Sequence, residues 1–490
     1  MTLPQPDWEV LQRRLSGELL LPGAEEYEWA RKPFIARFDE IRPQALAYCA
    51  NARDVGEVLS FARRRGIPVA PRSGGHSLAG YSSTSGIVID VSPLDFVGLA
   101  EGVVNVGAGA RTGNVADRLF ERGLAIPTGT CPSVGIAGLT LGGGIGILGR
   151  AYGLTLDRLV AAQVVLADGS VVDCSVDELA DLFWGLRGAG AGNVGVVTSF
   201  AFDPLPAPTM TNFHLLWSYA DAAAVIAAWQ TWSPSGPDEL SADLALAAPG
   251  DAKAEAAVEV FGAMIATEDE TLDVLRELVQ RAGVAPHSQD CQELSYAGTC
   301  TYQADVSVGY DQVEETPRRG RRLRQGYRFT KSQFFAEPLP PDAIAAFVET
   351  FGAQRREGEA RSVGFAPWGG AYNRPPPQAT AFAHRDQLFS IEHLVVVDPS
   401  ASETAKTAAR EWIRSSYDSV HPRASSAVYP CFTDPELEDP GRAYYGQNFQ
   451  RLIEIKQTYD PDNIFRFEQS IPLHKRLSAR RRRSALGPSC

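Results

Sequence analysis

Two glycine-rich loops, each with one side chain capable of covalent chemistry, are the strongest chemical feature of the sequence. "PRSGGHSLAG" (71–80) contains His76, and "TGTCPSVGIAGLTLGGGIG" (128–146) contains Cys131, 55 positions further on. Because glycine has no Cβ, such loops let backbone N–H groups close around a phosphate. Cys131 lies in a turn between Thr130 and Pro132, where a thiolate is accessible. Taken singly, these residues would be a surface histidine and a small buried thiol; together they predict a shared ligand.

Two further short motifs are weaker. "GIGILG" (144–149) fits the dinucleotide pattern G-x-G-x-x-G, but the glycine-rich segment before it is a poor candidate for the buried strand that this pattern follows. "GHSLA" (75–79) approaches the nucleophile elbow G-x-S-x-G, but it ends in alanine and continues into the loop "GYSSTSG". We therefore favour neither a Rossmann enzyme nor a serine hydrolase.

The bulk composition is that of a globular protein with two to four domains, since 490 residues exceed what one core ordinarily holds. Hydrophobic residues make up 44% and charged residues 21% of the chain, and the net charge is -13. A field of that sign disfavours nucleic acid and anionic membranes as partners.

The N-terminal segment has early acidic residues and no long apolar run, so we expect neither a signal peptide nor a membrane span, which needs about 18 apolar residues. The seven cysteines are scattered, without a CxxC pair, so we expect no disulfide framework and no metal site. These features favour a cytoplasmic protein. The arginine-rich residues 476–490 are expected to form a disordered, solvated tail.

The pattern of elements indicates an α+β fold. "DVGEVLSFARRRG" predicts a helix that is capped by Asp54 and ends at Gly66. "LVAAQVVLADGSVVDCS" (159–175) predicts a hairpin closed by Asp168-Gly169. In the middle of the chain, long helices alternate with separated strands, which is typical of one antiparallel sheet with helices on a face.

Five separated segments, in order, resemble the FAD-linked oxidases related to berberine bridge enzyme, within the vanillyl-alcohol oxidase and p-cresol methylhydroxylase superfamily. They are "PRSGGHS", "GTCPSVGIAGLTLGGGIG", "YGLTLDRLVAAQVVLADG", "GAGAGNVGVVTSF" and the C-terminal "YYGQN…RL…DPDNIFRFEQSIP". The resemblance implies a split FAD-binding domain of the p-cresol methylhydroxylase type, residues 1–205 and 425–475. An inserted substrate domain, residues 206–424, would place an antiparallel sheet covered by helices over the flavin.

The resemblance also implies FAD held by two covalent bonds, from His76 to the 8α-methyl group and from Cys131 to C6 of the isoalloxazine ring. The remaining cofactor-binding residues implied by position are Arg72, Ser73, Gly74, Gly75, Ser77, Thr130, Ser133, Val134, Gly135, Gly138, Gly142, Gly143, Gly144, Gly195, Val196, Val197, Asn463, Phe465 and Gln469. Val134 takes the position at which oxidases of the family often have valine and dehydrogenases a bulkier residue.

The catalytic base is where this sequence departs from its family. Phe432 and Ile145 replace two tyrosines that sugar-oxidising relatives use. Glu392, in "LFSIEHLVVV", falls where berberine bridge enzyme has a catalytic glutamate, and a carboxylate on an apolar strand needs a partner or a function. The adjacent His393 could face the flavin instead. Tyr429 and Tyr444 are the other candidates.

These observations predict an oxidase that transfers a hydride from an alcohol, lactol or amine carbon of a bulky carbohydrate or aromatic natural product to covalent FAD. Dioxygen would be the electron acceptor and hydrogen peroxide a product, as in a tailoring step of secondary metabolism. The alternatives are a sugar or oligosaccharide oxidase that forms a lactone, a flavin dehydrogenase that does not use oxygen, and a flavin-carrying binding protein without turnover. A monomer or a homodimer fits the sequence equally well.

Overall fold

The structure is a computed structural model that describes residues 7–307, 311–316 and 320–474. The predicted disordered tail, residues 476–490, lies outside the described residues. None of the helices within these ranges is both long and apolar enough to cross a lipid bilayer.

Helices and strands alternate through the first part of the chain. The helices are α1 (Trp8–Gln12), α2 (Tyr27–Ala30), α3 (Ala52–Arg65), α4 (Thr112–Phe120), α5 (Ile136–Gly142), α6 (Gly149–Tyr152) and α7 (Ala180–Leu186). The strands are β1 (Glu18–Leu20), β2 (Ala45–Tyr48), β3 (Val69–Arg72), β4 (Ile87–Asp90), β5 (Val97–Ala100), β6 (Val103–Gly107), β7 (Leu124–Ala125), β8 (Leu159–Val165), β9 (Val171–Ser175), β10 (Val196–Phe202) and β11 (Leu205–Pro206).

These strands form two main sheets. The first has the order β1-β2-β4-β3, in which β4 pairs in parallel with β2 and β3. The second is antiparallel, in the order β5-β6-β10-β8-β9. β8 and β9 form the predicted hairpin, and Asp168 accepts a hydrogen bond from Ser170 N in its turn, so that prediction is confirmed.

Helix α3 shows how side chains set the ends of these elements. Gly66 ends it in the left-handed conformation, as predicted, at φ 64°. Its N-cap is Asn51 rather than Asp54, because the buried carboxylate of Asp54 instead accepts hydrogen bonds from the N–H groups of Ser16, Gly17 and Ala50. Asp54 therefore fastens the N-terminal segment to this helix.

The second part of the chain contains one large sheet and the helices that cover it. Its elements are β12 (Thr209–Ser218), α8 (Ala222–Trp232), β13 (Leu240–Ala248), β14 (Ala257–Met264), α9 (Glu268–Ala282), β15 (Ser288–Ser295), α10 (Tyr296–Ser307), β16 (Asp311–Thr316), β17 (Gly320–Gln325), β18 (Tyr327–Phe335), α11 (Pro341–Gly352), β19 (Glu359–Pro367), β20 (Phe389–Val397) and α12 (Glu403–Val420).

Seven of these strands form an antiparallel sheet in the order β15-β12-β14-β13-β19-β20-β18, which confirms the predicted architecture. Burial alternates along β13 and β19, so each central strand has one face in a dry core and one outside it. Side chains such as Leu244, Phe365 and Ile391 pack against α8, α9, α11 and α12. The opposite face points toward the glycine-rich loops.

The chain then returns to the first part through α13 (Pro440–Tyr445) and α14 (Phe449–Tyr459). Tyr444, Leu452 and Phe465 join the core formed by the first two sheets. The buried Lys456 donates hydrogen bonds to the carbonyl oxygen of Asn193 at 2.7 Å and to Asp460 at 2.6 Å. The first core is thus completed by residues from both ends of the chain.

A buried arginine joins the two parts. Arg150, on α6, is 1% exposed and donates hydrogen bonds to the carbonyl oxygens of Pro234, Gly236, Pro237, Leu240 and Trp368. All five acceptors belong to the part of the chain that forms the large sheet. One planar guanidinium group therefore donates hydrogen bonds to the backbone carbonyl oxygens of two separate segments.

We predict that Arg150→Met lowers the free energy of unfolding by about 3–5 kcal/mol, because buried carbonyl oxygens lose their donors. Arg150→Lys should recover only part of this loss, since an ammonium group lacks the planar set of five donors. Urea unfolding followed by tryptophan fluorescence measures both. Arg53→Met, at an exposed position of α3, is the matched control and should change stability by less than about 0.5 kcal/mol.

Candidate active site

A cavity of about 1230 Å³ lies between the glycine-rich loops and the open face of the large sheet. Its walls come from the His76 loop, the Cys131 loop, the segment 189–197, six strands of the sheet and the C-terminal return. This volume exceeds the 300–1,000 Å³ of ordinary ligand pockets, so the cavity has room for a large cofactor together with a substrate.

The two glycine-rich loops touch through their backbones. A Cβ placed on Gly74 would lie 2.3 Å from Gly135 N, and one on Gly135 would lie 2.2 Å from Gly74 N and from Ser73 Oγ. Any side chain at either position would force the loops apart. The glycines therefore set the distance between the loops as well as the shape of each.

Each loop is also held from behind. Ser73 Oγ donates to the carbonyl oxygen of Ala108 at 2.7 Å, and Phe34 N donates to that of Gly75 at 3.0 Å. In the second loop, the carbonyl oxygen of Cys131 accepts a 2.6 Å bond from Thr112 Oγ1, at the start of α4. Val134 O accepts from Thr112 N at 3.0 Å. The chemistry-bearing residues thus sit on anchored backbone.

His76 and Cys131 meet at one hydroxyl group. Ser133 Oγ lies 3.1 Å from His76 Nε2 and 3.5 Å from Cys131 Sγ. Phe34 stacks on the imidazole ring, with 3.8 Å between centroids and 17° between planes, and so fixes its orientation. Two side chains that are 55 positions apart in the sequence therefore approach the same end of the cavity.

Most of the predicted cofactor-binding residues line this cavity. Those on its wall are Arg72, Ser73, Gly74, Gly75, His76, Ser77, Thr130, Cys131, Val134, Gly135, Gly138, Gly142, Gly195, Val196, Val197 and Gln469. Arg72 donates to the carbonyl oxygens of Ala30, Arg31 and Ser82, so it supports the first loop from within.

Five of the predicted cofactor-binding residues do not line the cavity. The Ser133 hydroxyl group contacts the side chains of His76 and Cys131, which do line the cavity. Gly143 and Gly144 lie under Tyr429, and a Cβ on Gly143 would be 2.7 Å from that ring. Phe465 is buried in the first core, and Asn463 occupies a left-handed turn after α14, at φ 52°. A role of these five residues in cofactor binding stays a prediction.

Glu392 lines the cavity and has a cationic partner. Its side chain, 26% exposed, accepts a 2.6 Å hydrogen bond from Arg328, which also donates to Gln325 and Thr330. Burial raises the pKa of Glu392 above its ordinary value, and Arg328 opposes that rise. The carboxylate therefore lies at the sheet side of the cavity with one charged partner and a raised pKa.

The structure contradicts the prediction that His393 reaches this site. Strand alternation turns it to the other face of β20, where it is fully buried, 2.9 Å from Ser416 Oγ. Burial lowers the pKa of His393 to about 3, and Lys331 adds to the decrease. A neutral imidazole in the helix-covered core has no access to a ligand in the cavity.

Tyr429 and Tyr444 line the cavity, but both hydroxyl groups are committed to the protein. Tyr429 Oη accepts a 2.7 Å bond from Gly144 N, and Tyr444 Oη accepts from Asp434 N at 2.9 Å and donates to Gln469. Burial raises the pKa of both phenols well above the ordinary value. They position loops and are poor bases at neutral pH.

Sequence reasoning missed three polar residues on the open face of the sheet. Asp243 on β13, His214 on β12 and Glu259 on β14 all line the cavity. His214 Nε2 lies 2.8 Å from Glu259 Oε2. Asp243 could have been found by the same reasoning as Glu392, because it is a carboxylate in the alternating apolar strand "LSADLALAA".

Comparison with known proteins agrees with this architecture. The FAD binding domain family matches residues 43–175, and the "Berberine and berberine like" family matches residues 428–472. The uncharacterized FAD-linked oxidoreductase YgaK of Bacillus subtilis is 31% identical over 466 residues, which cover 94% of this chain and 97% of that protein.

Solved structures are similar over nearly the whole chain. Physcomitrella patens BBE-like 1 superposes with a TM-score of 0.84 at 26% identity, covering 95% of this chain and 99% of that one. A glucooligosaccharide oxidase of Acremonium strictum, described as carrying a 6-S-cysteinyl, 8α-N1-histidyl FAD, has a TM-score of 0.79 at 26% identity. That alignment covers 93% of this chain and 97% of the oxidase.

We predict that Gly135→Ala destabilises the protein by about 1–3 kcal/mol, because the new methyl group would overlap the backbone of the facing loop. Gly98→Ala, on β5 and outside the cavity wall, is the control: its Cβ would have no protein atom within 4 Å. Alanine there should be neutral or stabilise by up to about 1 kcal/mol. Thermal unfolding of the two variants measures the difference, and equal losses would contradict the contact.

Proposed function

Because the chain belongs to the berberine bridge enzyme-like FAD-linked oxidoreductases, we propose that it is an oxidase with FAD bound covalently to His76 and Cys131. Its substrate would be a bulky small molecule with an alcohol, lactol or amine carbon. The observation that carries the proposal is the convergence of His76 Nε2 and Cys131 Sγ on Ser133 Oγ, at the cavity wall.

The residues of the cavity fit FAD. The backbone contact between Gly74 and Gly135 leaves no room for side chains where a pyrophosphate would approach the two loops. Val196, Val197 and Leu141 add an apolar wall beside these loops. The two attachment residues correspond in type to the cysteinyl and histidyl links that name the flavin of the Acremonium strictum oxidase.

When bound, FAD would accept a hydride from the substrate carbon and pass the electrons to dioxygen, which becomes hydrogen peroxide. The protein supplies the proton acceptor. We assign this role to Glu392, which would take the proton from the substrate O–H or N–H, since Tyr429 and Tyr444 are held by other groups. Arg328 would keep the carboxylate oriented and favour its ionised form.

The cavity shape supports a bulky substrate. Between Glu392 and the neighbouring strands, its floor consists of small residues such as Ala245, Gly364 and Ala366, and a Cβ on Gly364 would meet nothing within 4 Å. Such a floor admits a wide molecule, either a carbohydrate or an aromatic natural product. Val134, which lies on the cavity wall, takes the position at which oxidases of the family often have valine, and this resemblance supports dioxygen as the electron acceptor over the dehydrogenase alternative. A tailoring role in secondary metabolism and a cytoplasmic location stay predictions.

The covalent links can be tested directly. We expect the denatured protein to stay yellow after acid precipitation and washing, with a mass increased by that of one FAD. His76→Ala or Cys131→Ala alone should leave the flavin attached through the other residue, and the double variant should release it. Mass spectrometry of the intact protein measures each state. A colourless wild-type precipitate, or a double variant that keeps bound flavin, would contradict the assignment.

The role of Glu392 predicts a kinetic effect. A panel of oligosaccharides and glycosylated aromatic compounds identifies the compound that bleaches the flavin fastest without oxygen; air should restore the colour and yield hydrogen peroxide. With that compound, Glu392→Gln should slow flavin reduction by about 10²-fold or more, the usual contribution of a general base. Ser362→Ala, elsewhere on the cavity wall, is the control. Stopped-flow reduction of Glu392→Gln at the wild-type rate would remove Glu392 from the mechanism.

The pH dependence of flavin reduction follows from the contacts of Glu392. Reduction needs ionised Glu392, whose pKa is raised by burial, so the rate should fall as the pH drops through that raised value. Arg328 lowers this pKa, so in Arg328→Gln the rate should begin to fall at a higher pH than in the wild type. Stopped-flow rates across the pH range measure the shift. An unchanged pH dependence of the reduction rate in this variant would show that Arg328 does not act through Glu392.

A further inference from the structure

Asp243 is a second carboxylate on the sheet side of the cavity, separate from Glu392. It lies on β13, and on the open face β19 separates this strand from β20, which carries Glu392. Strands are about 4.8 Å apart, so the two carboxylates are roughly 10 Å apart or more and face different parts of a bound ligand. The mechanism above leaves Asp243 without a task.

Asp243 has no cationic partner among the side chains that the structure describes, which leave out residues 307–323. The cations on the cavity wall are engaged elsewhere: Arg72 with backbone carbonyls, Arg328 with Glu392, and His214 with Glu259. The exposed Arg466 is on the C-terminal return and forms no ion pair with Asp243. Burial raises the pKa of Asp243 to about 7. An ionised carboxylate here is costly until a cation arrives, and none of the side chains that the structure describes provides one.

An aromatic ring lies beside this carboxylate. Phe261 on β14 is the register partner of Asp243, and both side chains line the cavity. Side chains directly opposite each other on one face of a sheet have Cβ atoms about 4.5–5.5 Å apart. His214 meets the same ring edge-on, with centroids 6.4 Å apart, and so holds it in place. A carboxylate next to an aromatic face is suited to an organic ammonium group, through ion pairing and cation–π attraction.

We propose that Asp243 and Phe261 form a subsite for a protonated amino group of the substrate, so that the enzyme selects amine-bearing molecules over their hydroxyl counterparts. This inference rests on the proposed function only in taking the cavity as the substrate site. The amino group bound here is distinct from the carbon that Glu392 serves, because the two carboxylates lie on different strands.

The proposal predicts a preference that binding alone can measure. Hydrogen bonds and pairs that involve a charged group contribute roughly twice as much as neutral ones. Tyramine and tyrosol share one skeleton and differ in an ammonium or a hydroxyl group; the glucosamine disaccharide and cellobiose form the matching carbohydrate pair. Calorimetric titration of the flavin-containing enzyme without oxygen, at about pH 7, gives each dissociation constant. In at least one pair, the amine should bind about tenfold more tightly or better.

Variants assign that preference to residues. Asp243→Asn, which conserves volume, should reduce the amine preference to about threefold or less with little change for the alcohol. Phe261→Leu should reduce it in part. Glu255→Gln removes a negative charge from an exposed residue of the cavity wall and should leave the preference intact, which separates local pairing from the overall field.

Two outcomes overturn the subsite: no preference for the amine in either pair, or a preference that survives Asp243→Asn. Preference in the aromatic pair alone would identify an aromatic amine as the substrate class, and preference in the carbohydrate pair alone an amino sugar. These binding results do not depend on flavin attachment or on Glu392. A failure of the proposed chemistry, seen as unbleached flavin, therefore remains distinguishable from a failure of the subsite.

Discussion

The backbone contact between Gly74 and Gly135 is the constraint on which the rest of the site depends. Two loops from different parts of the fold approach until no Cβ fits between them. The contact brings His76 and Cys131 to a single hydroxyl group, and it places the glycines of both loops on the cavity wall. Glycine is costly in chain entropy, and the supporting bonds from Ser73 and Thr112 offset that cost by holding each loop.

Side chains along the large sheet alternate between two faces: one packs in the core and stabilises the sheet, and the other lines the cavity. On β20, Ile391 and His393 point into the helix-covered core, whereas Glu392 points into the cavity. On β13, Leu244 is in the core and Asp243 is in the cavity. The sheet is stabilised by one face and can therefore carry costly polar groups on the other. A slip of one residue in register would exchange these roles and bury both carboxylates.

Much of this arrangement could be predicted from sequence where a local rule decides it. Glycine density identified the two loops, Asp168-Gly169 identified the hairpin turn, and Gly66 identified the end of a helix. The failures occurred where a neighbour decides. Whether Glu392 or His393 faces the cavity depends on which side of the sheet the helices cover. Asp243 was missed because only the packed structure shows that no described cation pairs with its carboxylate.

The guanidinium of Arg150 also has a consequence for how molecules enter and leave. Arg150 belongs to the first part, and its five carbonyl acceptors belong to the second. A rotation of one part against the other would therefore leave several buried acceptors without their donor at once. These bonds therefore hold the two parts, and with them the opposite walls of the cavity, in a fixed relative position. We therefore expect molecules to enter the cavity through movements of individual side chains and short loops at its mouth, rather than through a hinge between the two parts.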